Sequence, residues 1–115
     1  MSLARMTGNL PQAQETSSNG AVQLPDDVAV FCRRKGLLTY VPMATDLVTT
    51  CFGLHEMSFE IEIDPETGED WLVIHVEVRG NRHDVLAAYR NYSRQWVRSV
   101  PWPERNLICL SYNIL

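Results

Sequence analysis

Glu60, Glu62, His75 and Glu77 are the residues of this chain whose types and spacing could do chemistry. The glutamates stand two apart in Phe59-Glu60-Ile61-Glu62-Ile63-Asp64. The histidine and Glu77 stand two apart in Trp71-Leu72-Val73-Ile74-His75-Val76-Glu77-Val78. If both segments are strands, their period of two puts each pair on one face. Side chains sharing a face of paired strands lie roughly 5–8 Å apart, near enough for carboxylates and an imidazole to share a divalent ion or pass a proton. Alternating acids also have a plainer role, since they keep a solvent face soluble and blunt strand pairing.

Three other groups qualify. Cys109 or Ser111 with His75 or His83 is a possible nucleophile and base, although no helix N-terminus or adjacent base marks either as activated. Arg90, Arg94 and Arg98 recur every four residues, a ridge that would suit phosphates or an acidic partner, or else a solvated helix face. Trp71, Val73, Cys109 and Leu107 fall on the same sheet face as the acids and make it partly apolar.

The elements that must position these residues are legible in the pattern. Pro65-Glu66-Thr67-Gly68 is turn chemistry between the two alternating runs and predicts a β-hairpin. With Asp64 paired to Glu69, Ile61 faces Leu72 and Phe59 faces Ile74 on the buried side. Glu62 then faces Trp71 and Glu60 faces Val73 on the other, and a slip of one residue would turn Leu72, Ile74, Val76 and Val78 outward. Gly80-Asn81 ends the hairpin, and a long helix from Asn81 or Arg82 to about Val100 presents Val85, Leu86, Tyr89, Tyr92, Trp96, Val97 and Val100 as a stripe wide enough to cover a sheet. His83-Asp84 reads as first-turn capping chemistry. About eighteen helical residues return the chain roughly 27 Å, so a parallel strand from Asn106 to Leu115 follows, joined by a right-handed crossover. Strand order stays open between 1-2-3 and 3-1-2.

Upstream, Pro25-Asp26-Asp27 opens a short helix that Arg33-Arg34-Lys35 and Gly36 close, burying Val28, Phe31 and Cys32. A second helix runs from about Tyr40 to Phe52 with Thr39 as N-cap and a stripe of Tyr40, Ala44, Leu47, Val48 and Cys51. It offers no Arg, Lys, Asn or Gln to base edges, which argues against a DNA-reading helix pair. Residues 1–23 carry few large apolar side chains and are expected to be a flexible tail before a single domain over 24–115.

A chain of 115 residues, 45% hydrophobic and 21% charged, is sized for one core, and its net charge of −4 disfavours an extended nucleic-acid surface. Cys32, Cys51 and Cys109 lie far apart inside apolar runs, and His55, His75 and His83 lack zinc-site spacing. Buried free thiols in a reducing, cytoplasmic setting are expected, with no cofactor or resident metal and no membrane span. Glu77-Val78-Arg79, placed after a hairpin and before a helix, resembles the strand carrying the metal-binding carboxylate in nucleases of the restriction-endonuclease superfamily. It has arginine where that motif ends in lysine, and in place of its Pro-Asp element the order is Asp64-Pro65, in a turn.

The fold class expected is α+β with two layers. A small mixed three-stranded sheet carries a long helix on one face, and two short N-terminal helices complete the core. The leading functional expectation is a non-catalytic interaction or regulatory module, self-associating or a subunit of a larger assembly, whose partner is itself or another protein. The first alternative is metal-dependent phosphodiester cleavage by Glu60, Glu62, His75 and Glu77. The second is phosphate or nucleic-acid binding through Arg90, Arg94 and Arg98.

Overall fold

The structure, a computed structural model, describes residues 23–53 and 55–115. All of the expected tail except Gln23 lies outside them. Helices α1 (Asp26–Lys35) and α2 (Tyr40–Phe52) precede strands β1 (His55–Ile63) and β2 (Asp70–Val78). Helix α3 (Arg82–Ser99), a 3-10 turn (Glu104–Leu107) and strand β3 (Ile108–Ile114) follow. The sheet order is β1-β2-β3, antiparallel then parallel, in an α+β domain.

The hairpin holds the register its alternation demands: Ile61 opposes Leu72, Phe59 opposes Ile74, Glu62 opposes Trp71 and Glu60 opposes Val73. Its turn is closed locally. The Asp64 N–H donates to the Glu69 carbonyl at 2.7 Å and the Gly68 N–H to the Asp64 carbonyl at 2.8 Å. The Asp64 carboxylate accepts from the Glu66 N–H, the Thr67 hydroxyl accepts from the Glu69 N–H, and Gly68 takes the left-handed φ of 78°. The strand begins earlier than its Phe59 start, since His55 already pairs with Val78. Ile63 has the same phase as Phe59 and Ile61, but it sits opposite Asp70 at the turn end of an outer strand and is 63% exposed.

The core gathers Leu72, Ile74 and Val76 from β2, Val28, Phe31 and Cys32 from α1, Val41, Ala44 and Val48 from α2, and Tyr92 and Trp96 from α3. The long helix does not cover the sheet alone. It packs against α2, while α1 lies against β1, so the two short helices supply most of the fully buried helical side chains. Val97, expected in the α3 stripe, is exposed.

Helix α1 ends in a Schellman turn, with the Gly36 N–H on the Arg33 carbonyl and the Leu37 N–H on the Cys32 carbonyl. Its basic C-terminus does more than meet the helix dipole. Arg34 and Lys35 both reach Asp70, the first residue of β2, at 3.2 and 2.9 Å. Thr39, expected to cap α2, has helical backbone angles and makes no side-chain cap bond; the Leu37 carbonyl instead accepts from Tyr40 and Val41. The buried face of α2 is rotated by about one residue, to Val41, Ala44, Thr45 and Val48. Thr45 can go inside because its hydroxyl donates to the Pro42 carbonyl at 3.0 Å. Asn81 caps α3, accepting from the Asp84 N–H at 2.8 Å and donating to the Asp84 carboxylate. β3 starts at Ile108 because the four residues before it form the 3-10 turn, whose Arg105 carbonyl receives the Trp96 indole N–H.

Truncating Leu72, which is 0% exposed, to alanine is expected to cost about 2–5 kcal/mol, whereas Ile63→Ala should fall within about 0.5 kcal/mol of wild type; urea denaturation of both variants checks the contrast. The hydrogen bond from Lys35, then that from Arg34, holds the Asp70 carboxyl below its ordinary value against partial desolvation. A depressed carboxylate contributes stability that is present above the ordinary pKa and lost as pH falls through the folded one. Urea midpoints should therefore drop below about pH 4 with a component that Asp70→Asn removes; identical pH profiles for the two proteins would contradict the clamp.

Candidate functional site

β2 is the central strand, so its outward residues Trp71, Val73, His75 and Glu77 share a face with Glu60 and Glu62 of β1 and with Cys109, Ser111 and Asn113 of β3. The His75 Nε2 lies 2.7 Å from the Glu60 Oε1, diagonally across the hairpin. Glu60, Glu62 and His75 each offer a ligand atom within 4.8 Å of the others. Three of the four residues singled out by the sequence are thus together.

Glu77 is not in that group. It pairs with Glu56 near the far end of the hairpin and lines a separate cleft of about 330 Å³ with His55, Arg79 and Leu115. Within the triad, the Glu60 side chain is 56% exposed and that of His75 37%, so water screens the contact and competes for any ion. The three donors could hold a divalent cation, but Glu60 and His75 already satisfy one another.

Beside this group the face turns apolar. Val73 is only 5% exposed and Trp71 is half-buried. Leu107, expected on this face, packs instead at the edge of the core, because the 3-10 turn carries it out of the strand's alternation.

Arg90, Arg94 and Arg98 are exposed, and among the described residues no carboxylate pairs with them. The thiols are poorly prepared as nucleophiles. Burial pushes Cys32 and Cys51 up, and burial followed by the Glu62 carboxylate pushes Cys109 up. Cys109 is nonetheless exposed, contrary to the expected buried thiol, because odd-numbered residues of β3 face the open side. His83 lies exposed in the first turn of α3, where the capping bonds are made by Asn81 and Asp84.

Sequence reasoning missed one further place. A cleft of about 290 Å³ runs between α3 and β3, lined by Tyr89, Tyr92, Ser93, Trp96 and Val97 on one side and Ile108, Cys109 and Leu110 on the other, with Arg105 and Asn106 between. The hydroxyl of Tyr92 is buried without a hydrogen-bond partner, a state that costs about 1–3 kcal/mol. Burial, then Cys109, Tyr89 and Cys51, drive its pKa far above the ordinary phenol value. Helical spacing marks Tyr92 as core, but only three-dimensional packing reveals that its hydroxyl is orphaned.

No family model, curated protein or solved structure matches the chain. Among the described residues no helix is long and apolar enough to cross a membrane.

Of the three free thiols, Cys109 should react first with a disulfide reagent, Cys51 more slowly and Cys32 only on unfolding, and the Cys109 rate should keep rising past the ordinary thiol pKa of about 8.5. Time-resolved labelling with mass spectrometry reads this order directly. Fast modification of Cys32 in the folded protein would contradict its place in the core.

Proposed function

We infer that this domain is a non-catalytic interaction module, a subunit of a larger assembly, and that its working surface is the open face of the sheet. The observation that carries this reading is the half-buried Trp71 on the central strand, sharing a face with the exposed Glu60 and Glu62 and the half-buried His75. A face meant only for water has no need of tryptophan and valine at consecutive outward positions of its central strand. An apolar centre with a charged rim is the usual composition of a protein-docking patch. The acids fit a partner with an apolar contact and cations around it.

Metal-dependent phosphodiester cleavage draws support from the three donors within 4.8 Å, but the fourth residue it calls on, Glu77, faces another cleft. Phosphate binding by Arg90, Arg94 and Arg98 rests only on their exposure.

A photo-crosslinking amino acid at Glu62, expressed in cells, should give a discrete protein adduct that the same group at exposed Asp27 does not give. No adduct from position 62, or the same pattern from both, sinks the docking reading. A manganese-dependent oligonucleotide cleavage that disappears in Glu60→Gln would replace it with an enzyme.

A further inference from the structure

The two edges of the sheet differ in kind. β1 and β3 are both outer strands. β1 carries Glu56, Glu60 and Glu62 on its open face, so a second β1 laid beside it would set carboxylates against carboxylates. β3, Ile108-Cys109-Leu110-Ser111-Tyr112-Asn113-Ile114, has no charged residue and no proline along its whole length. It therefore lacks the usual protections of an exposed edge.

The hydrogen-bonding parity of β3 follows from its pairing. The Leu115 N–H donates to the Val78 carbonyl, so odd-numbered residues turn their backbone groups toward β2. The N–H and C=O groups of Ile108, Leu110, Tyr112 and Ile114 then point away from the sheet, and among the described residues no backbone group answers them. Beside this edge runs the α3–β3 cleft, where Val97 is exposed. Free edge and open cleft lie side by side, where a neighbour could reach both.

We propose that β3 pairs with β3 of a second copy of this chain, antiparallel about a two-fold axis at Ser111, to make one continuous six-stranded sheet. This goes beyond the open-face reading by adding a second interface, at the sheet edge. The strand is self-complementary in this register. Ile108 meets Ile114 of the second copy and Leu110 meets its Tyr112 as hydrogen-bonded pairs on the core side; Cys109 meets Asn113 and Ser111 meets Ser111 on the open side. No charge is buried, and both copies keep their helices on matching faces. The incoming strand closes the open side of the cleft. The two open faces, each with its Trp71 and Val73, join into one surface.

The register fixes the experiment. Ser111 residues on the axis form a non-hydrogen-bonded antiparallel pair, with Cα atoms about 4.5 Å apart, inside the range a disulfide spans. In a Cys109→Ser background, Ser111→Cys should give a disulfide-linked dimer of the full chain under mild oxidation, while Ser58→Cys, equally exposed on the β1 edge, should not. Light scattering should give wild type twice the 13.1 kDa chain mass. Ser111→Lys, which sets two cations face to face on the axis, should return the chain mass with an unchanged circular dichroism spectrum. A wild-type monomer, or equal crosslinking from both edges, overturns the proposal. So does protection of the Leu110 and Tyr112 amides from hydrogen exchange in a monomer, which would assign the edge to the chain's own N-terminal segment. Any of these leaves the open-face reading to stand or fall on the Glu62 crosslink.

Discussion

The phase of the β1–β2 hairpin governs every other contact in this domain. Because side chains alternate strictly along a strand, one choice of pairing sends Leu72, Ile74 and Val76 into the core, and the only neighbouring choice sends them to solvent. The Asp64–Glu69 turn makes that choice locally, through bonds closed within six residues of chain. α1 and α2 have an apolar surface to land on only after it is made, and β3 joins the far side of the same β2. The open face is the other half of the same decision. Glu60, Glu62, Trp71, Val73 and His75 are outside because their neighbours are inside.

Features decided by short-range pattern were legible in the chain. The hairpin register, the span of α3 with its Asn81–Asp84 capping, and the Gly36 stop to α1 all depend on residues within a few positions of one another. Features decided by competition between surfaces were not. Thr45 took an inner position of α2 because a hydroxyl can bond its own helix backbone, which rotated the buried face. Ile63 alternates correctly but lies at the turn end of an outer strand. Strand order was undetermined because the hydrogen-bonding edges of a strand leave no mark on its side-chain alternation.

The same distinction runs through the site. Glu60, Glu62 and His75 came together because hairpin pairing sets their spacing. Glu77 has the same parity but stands two residues further along β2, opposite Glu56, so parity alone overcounted the group. The Tyr92 hydroxyl shows the converse, since its burial is written in helical spacing and its missing partner is written nowhere in the chain. Asp70 is intermediate: the basic end of α1 was evident, but its acceptor, 35 or 36 positions away, could be found only once the layers were assembled.

The unequal charging of the two sheet edges also bears on how far this sheet can grow. An added strand finds an uncharged template at β3 and a row of glutamates at β1. Once the β3 edge is occupied by its own like, the outermost strand at each end is β1, and the same acids guard both. Growth then stops at a closed pair, where two bare edges would have allowed head-to-tail stacking into fibres. In such a pair the acidic strand would be the terminator of polymerisation, and neutralising its glutamates would turn a self-limiting sheet into an open-ended one.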